Sequence, residues 1–361
     1  PPPPAGPLGA PPGWAAPPPG AYRAVEFRPG IIALRPQTIG DIYGAVLKAV
    51  RGNPAATIGL ATVTTLAFLV PFTALGTWLA SLTDLPLDPQ SSSASSDVVP
   101  ENFVVSLLGQ YLPAIGQSLS AILLAGFLAQ VVGQAVLGRK VGIGETWRAT
   151  RGRIPALAGA VLVTVLALLL LLALLVGLPA LVIVYGVTSA DDAGTAIGVV
   201  LTVLGVMAWL VAALFLGTKW ALATPAIVLE RTGVVSSLRR SWSLVGSPLH
   251  QPFWRLFGLR LLTGLIVGIA ASIVSIPISI VLVGILVALL SDEGSMSQML
   301  MLQTVATGIT GLITGALTTP FSAGVDALLY VDTRIRREGL DVRLVQAAQG
   351  AAPPPWPVSA P

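Results

Sequence analysis

The chain has 361 residues, 54% of them hydrophobic and 10% charged, with a formal net charge of +4 and a mean hydropathy of +0.84. Soluble domains carry about 25% charged residues, so this composition excludes an ordinary soluble globular protein and makes lipid the expected solvent. The absence of cysteine excludes disulfides, thiolate metal sites and thiol catalysis, and one histidine, His250, leaves little for imidazole chemistry.

Residues 1–30, PPPPAGPLGAPPGWAAPPPGAYRAVEFRPG, are dominated by Pro, Gly and Ala and show neither helical nor strand period. Such a segment buries too little apolar surface to offset its ordering entropy, which predicts a disordered tail with polyproline II character. Its simplest role is to solubilise; a proline-recognising protein partner is the second. The chain starts on proline, as a trimmed sequence would, and no secretory signal pattern precedes the first apolar segment. Insertion is therefore expected to rest on the transmembrane helices themselves.

Six apolar runs follow, at roughly 55–80, 104–137, 156–186, 196–221, 254–290 and 299–330. Each is long enough for a bilayer, which needs about 20 helical residues. The predicted fold class is all-α: a polytopic membrane protein with six transmembrane helices. The second and sixth runs have length to spare for a bent or interfacial extension. The third, LVTVLALLLLLALLVGLPALVIVY, is apolar all round and should face lipid over much of its circumference. Pro71, Pro179 and Pro277 lie in the later parts of the first, third and fifth helices, where kinks are expected.

The loops set the orientation. Those after the first, third and fifth helices contain Asp84, Asp88, Asp97, Glu101, Asp191, Asp192, Asp292 and Glu293, and no Lys or Arg. All 20 basic residues fall on the opposite side. Because Lys and Arg stay inside, both termini are predicted to be cytoplasmic. The excess positive charge is then a topology signal and a means of holding anionic head groups, at about 1 kcal/mol per residue near the surface. No nucleic-acid-binding module accompanies it.

Paired segments suggest an internal repeat. ALATP at 221–225 matches ALTTP at 316–320, and the odd helices begin after RGNP, RGRIP and SPLHQPFWR. Before these lie IGDIYGAVLKAV (39–50), IGETWRAT (143–150) and VVSSLRRSWSLV (234–245), each carrying an aromatic and basic residues. The prediction is three helical hairpins, each introduced by a short amphipathic helix at the cytoplasmic interface, related by an axis along the membrane normal.

Polar groups inside the runs are few. Gln110 and Gln117 share one helical face and Gln130 and Gln134 nearly the opposite one, so interhelical hydrogen bonds are expected rather than a pore. Gly264 and Gly268 on helix five, and Gly308, Gly311 and Gly315 on helix six, present small faces for close packing within the bundle or between subunits of a homo-oligomer. Lys219, Arg260 and Asp326 lie near helix ends, placed to snorkel or pair. With no charge placed at midspan, ion-driven transport is disfavoured. His250 has no second ligand for a metal, and the chain holds no Ser-His-Asp arrangement, GxSxG or GxxxxGK[ST] motif. The carboxylates Asp41, Glu145, Glu230, Asp326 and Asp332 each sit beside arginines expected to pair with them. No catalytic residue, metal ligand or cofactor site is predicted.

The last apolar run ends in LLYVDTRIRREGLDVRL, residues 328–344. Asp332 and Arg336, and Arg334 and Glu338, are each four apart and can pair along one helix. Leu328, Leu329, Ile335 and Leu340 supply apolar contacts, and Gly339 is a helix stop. The segment is predicted to leave the membrane and dock under the bundle. The domain plan is a tail at 1–30, a transmembrane domain at 31–344 and a disordered Pro-rich tail at 345–361.

YVDTRIRREGLDVRL, together with LERTGVVSSLRRSWSLV and LRPQTIGDIYGAVLKAVRGNP, resembles a family of bacterial membrane proteins related to the membrane domain of glycerophosphoryl diester phosphodiesterases. The resemblance covers roughly 34–344 and implies a plasma-membrane location in bacteria of the actinobacterial type. In fused members catalysis belongs to a separate soluble domain with histidines and acidic metal ligands. This chain has no room for it, so no catalytic residue carries over.

The expected function is a non-enzymatic scaffold or membrane-organising protein. Arg239, Arg240, Trp242, Arg334, Arg336 and Arg337 are its candidate cytoplasmic contacts to lipids or a partner. The alternative is a carrier of a lipid or amphiphile, using a cavity near Pro71, Pro179 and Pro277; a membrane hydrolase is a distant third. Gly264, Gly268, Gly311 and Gly315 are the candidate packing positions. A continuous polar cavity favours the carrier and a solid bundle the scaffold, whereas converging carboxylates without arginine partners favour the enzyme.

Overall fold

The computed structural model describes residues 29–81, 103–247, 251–289, 296–353 and 355–356. The proline-rich segment up to residue 28, His250, and the loop acids Asp84, Asp88, Asp97, Glu101, Asp292 and Glu293 lie outside them. Among the described residues all regular structure is helical, and six stretches are long and apolar enough to cross a membrane. The protein is an all-α polytopic membrane protein.

Helix α1 (Ile39–Gly52) starts at a capping box: the Asp41 amide donates to the Thr38 hydroxyl and the Thr38 amide to the Asp41 carboxylate. It buries Ile42, Ala45, Val46 and Ala49, the i, i+3, i+4, i+7 pattern of a helix with one wet face. A π-helical turn, Ala55–Gly59, leads into α2 (Leu60–Ser81), and α3 (Phe103–Val136) packs back along it. Helix α4 (Ile143–Thr150) and a 3-10 turn introduce α5 (Ile154–Leu172). A second π-helical turn, Ala173–Gly177, continues into α6 (Leu178–Thr188), and α7 (Asp192–Trp220) returns. Pro179 follows that turn, where a looser backbone accommodates the ring that would otherwise strike the carbonyl four residues back. Helices α8 (Ala223–Leu229) and α9 (Val234–Val245) precede α10 (Gln251–Leu289), α11 (Met296–Glu338) and α12 (Leu340–Ala348).

The predicted hairpins form as α2 with α3, α5 and α6 with α7, and α10 with α11, each preceded by a short helix (α1, α4 or α9). They are not placed alike. Helix α11 packs on both α2 and α3, so the first, second and sixth spans build the centre. The ALxTP segments also differ: the chain breaks at Ala221 and Leu222, while α11 runs unbroken through Pro320.

The most apolar windows are the most exposed ones. That of the third span has none of its residues buried, against 67% in the second span and 44% in the sixth. Lipid explains the inversion, because apolar side chains gain as much from lipid tails as from each other. Burial concentrates at one end, where Ile42, Leu222, Ile227, Leu229, Leu328, Leu329, Tyr330, Leu340 and Leu344 form one cluster.

The boundary predicted at residue 344 needs correcting. Helix α12 extends to Ala348, and Trp356, placed in a disordered tail by composition, is buried and donates its indole N–H to the Gly133 carbonyl at 3.1 Å. A single large aromatic with a hydrogen-bond partner pins a segment that Pro and Ala alone would leave loose.

Candidate functional site

The end that gathers the buried cluster also gathers the charges. Glu230, at the C-terminus of α8, faces Arg240 of α9 at 3.1 Å and lies 3.3 Å from Nη1 of Arg334 on α11. Glu338 closes the ring, 2.5 Å from Arg240 and 2.9 Å from Arg334. Tyr330, one turn before Arg334, donates its hydroxyl to Glu230, and the Arg334 guanidinium lies 5.7 Å from the Tyr330 ring. Burial alone would raise the Glu230 carboxyl. The hydrogen bonds from Tyr330 and Arg240, with the charges of Arg334 and Arg240, outweigh it and hold the group below the usual carboxylate range.

A second node centres on Asp332. It accepts from Arg336 at 3.0 Å and from the Gln37 amide at 2.7 Å, and pairs with Arg255 of α10 at 3.1 Å. Arg255 and Arg336 also donate to the Gln37 carbonyl, at 2.6 and 2.8 Å. One carboxylate thus ties the entry to α1, the start of α10 and the end of α11. A third tie repairs the break after α7. Ser241 donates to the Lys219 carbonyl at 2.6 Å and accepts from the Leu222 amide at 3.1 Å.

Both predicted i, i+4 pairs on α11 form. Helical spacing did not reveal the contacts by which Glu230, Arg240, Arg255 and Gln37 join the same nodes from up to 299 residues away. Among the candidate contacts, Arg334 is buried and committed to its carboxylates, and Arg240 is also held in the ring. Neither offers a charge to lipid, because carboxylates on neighbouring elements reach them first. Arg336 is exposed but paired with Asp332, Arg337 donates to the Ser243 carbonyl at 2.8 Å, and Arg239 is exposed.

Lys219 does not snorkel. It is 3% exposed, donates to the Gly246 carbonyl, and sits 4.6 Å from the Trp242 ring centre with Phe215 and Phe253 close by. Trp242, itself half-exposed, covers this cation. Glu145 departs from the ion-pair expectation: it accepts from the Gly142 amide at the start of α4 and enters no ion pair among the described residues.

Outside the nodes, Lys48, Arg51, Arg139, Lys140, Arg148 and Arg151 are exposed and enter no ion pair among the described residues. Lys48, Arg139 and Lys140 line an open pocket of about 290 Å³ beside Pro29 and Asn53, with no acidic residue in its wall. Nearer the membrane, a groove of about 340 Å³ lies between α3, α5, the α7–α8 break, α10 and α11. It contains the Arg260–Asp326 pair, 3.3 Å apart. An apolar crevice of about 280 Å³ separates α2 from α11, and a pocket of about 160 Å³ adjoins Asp332.

Pro71, Pro179 and Pro277 line none of these four cavities. Pro71 and Pro277 lie within unbroken helices, and Pro179 lies in the exposed hairpin. Gly311 and Gly315 face Gln117 of α3 within the bundle, whereas Gly264 and Gly268 face open space. No residue of α10 beyond Thr263 is buried among those described, because the helix meets the packed end of the protein only through its first turns. Comparison with protein-family models, with curated proteins and with solved structures gives no match.

Proposed function

We propose that this protein is a non-enzymatic, membrane-organising scaffold of a bacterial plasma membrane, with both termini and the basic face in the cytoplasm. The observation that carries this reading is the division of labour among its cations. Arg240, Arg255, Arg334 and Arg336 are bound to carboxylates and stiffen the platform. Lys48, Arg51, Arg139, Lys140, Arg148 and Arg151 stand outside that network and present charge to anionic head groups. The resemblance to the membrane domain of glycerophosphoryl diester phosphodiesterases belongs to this reading, since Tyr330 to Leu340, its most specific motif, supplies much of the charge ring.

The test is reconstitution into vesicles mixing phosphatidylglycerol with phosphatidylcholine, with energy transfer from labelled protein to either fluorescent lipid. Anionic lipid should concentrate around the protein and disperse at high salt. Replacing the six exposed cations by Gln should return it to bulk composition; enrichment unchanged by that replacement would remove the scaffold reading. Because the chain has no cysteine, orientation is tested separately. A single Cys replacing Arg139 should resist a membrane-impermeant maleimide in intact cells, while one replacing Ser189 should react.

A further inference from the structure

The groove at Arg260 and Asp326 joins features that a purely structural ion pair does not need. Its walls are mainly apolar side chains of α3 and α5, among them Ala121 and Val161, with Trp220 and Thr224 at the α7–α8 break. Both charges lie on membrane-crossing helices toward their basic ends, where an ionisable group that faces lipid is costly. Neither is sealed: the Arg260 and Asp326 side chains are 33% and 26% exposed. Of the five N–H donors of a guanidinium, those of Arg260 placed by the structure go to Asp326 and the Gly217 carbonyl. One Asp326 oxygen is engaged by Arg260. Donor and acceptor capacity therefore remain side by side, facing the same space.

Access and charge narrow the occupant. Apart from Arg260 and Asp326 the lining carries no charged side chain, and most of it is apolar, as suits a lipid rather than a hydrated ion. On the lipid side, Val165 at its margin is exposed. The volume sits at the low end of the roughly 300–1,000 Å³ of ligand pockets, enough for a head group and glycerol with acyl chains left outside in lipid. A lone phosphate would meet Arg260 but also the like charge of Asp326. A head group carrying both phosphate and primary ammonium satisfies both.

We propose that this groove binds one phospholipid of the phosphatidylethanolamine type, its phosphate on Arg260 and its ammonium on Asp326, entering from the bilayer. The site stands independently of the scaffold reading, because it uses none of the exposed cations on which that reading rests.

The experiment is native mass spectrometry of the full chain released from nanodiscs containing equal phosphatidylethanolamine and phosphatidylglycerol. One phosphatidylethanolamine should remain per protein after other lipid is stripped, favoured over phosphatidylglycerol by about tenfold, the ratio that 1.4 kcal/mol gives. Val161→Trp, which fills the groove without touching the charges, should abolish retention while unfolding in lipid-free detergent stays unchanged. Asp326→Asn should reverse the preference toward phosphatidylglycerol, because Arg260 then meets phosphate without a competing carboxylate. Failure to retain lipid, retention without head-group preference, or retention indifferent to Val161→Trp would overturn the proposal. Protection from unfolding by inorganic phosphate as strong as by the phospholipid would overturn the membrane source.

Discussion

The basic end of the protein and the outer parts of α5, α6, α7 and α10 differ in what holds them. At the basic end, helices from every part of the chain meet, and Ile42, Leu229, Tyr330 and Leu344 are buried together with the charge ring and the Asp332 node. Along the outer parts, Leu170, Leu181, Val211, Ile273 and Ile280 stand exposed although the composition is more apolar. Water explains the contrast. At the interface apolar burial is driven by the hydrophobic effect and directed by hydrogen bonds. Inside the bilayer only close packing and polar contacts draw helices together. The α5–α7 hairpin shows what suffices there: Trp209 donates to the Leu168 carbonyl at 3.1 Å, and Gly205 lets α7 approach the Leu175 carbonyl.

Four perturbations test this contrast, the first being the most damaging. Glu230→Ala leaves buried Arg334 short of one carboxylate and frees the Tyr330 hydroxyl. Removing one partner of a buried pair costs about 3–5 kcal/mol, so thermal unfolding in detergent should lose about 3 kcal/mol. A loss under about 1 kcal/mol, the worth of a surface pair, would mean that the ring does not hold the platform. Gly205→Leu comes next, since an added Cβ would lie 1.7 Å from the Leu175 carbonyl oxygen. Overpacking of that kind costs about 1–3 kcal/mol. It should separate α5 from α7, read by spin-label distances across the hairpin, while the basic end keeps its hydrogen-exchange protection.

The acid limb of stability is the third test. Glu230 has a folded-state pKa below its ordinary value of 4.5. Its contribution is therefore complete above pH 4.5 and is lost as pH falls through the depressed folded value. Unfolding followed from neutral pH downward should show that loss, and Glu230→Gln should flatten that part of the profile. The smallest effect belongs to Gly264→Leu and Gly268→Leu, which face open space and should stay within about 0.5 kcal/mol in detergent. A clear loss of oligomer in the same variants would assign that face to a second copy of the chain.

How much of the candidate site was legible depended on distance along the chain. The Asp332–Arg336 and Arg334–Glu338 pairs follow from helical spacing, and Gly339, with φ of +61°, ends α11 where a glycine stop belongs. Glu230 lies 100 residues from Tyr330 and Gln37 lies 295 from Asp332, and no local period links them. Small-residue spacing marks Gly264 and Gly268 as able to pack closely but says nothing about whether a partner helix arrives. For Lys219, length and position suggest a route to water; three aromatic rings from α7, α9 and α10 replace that route.

By itself the amino-acid sequence determined the solvent, the number of spans, the segregation of charge and the short helices that precede each hairpin. Those properties depend on the length and polarity of contiguous segments, which lipid and water sort directly. Only the tertiary structure decided that α2, α3 and α11 form the centre, that Arg240 and Arg255 join the carboxylates of the α11 pairs, and that Arg260 and Asp326 face a groove. In a bilayer apolar surface does not rank one helix partner above another. The choice falls to a few polar groups and close approaches, and the path of the whole chain determines which of them meet.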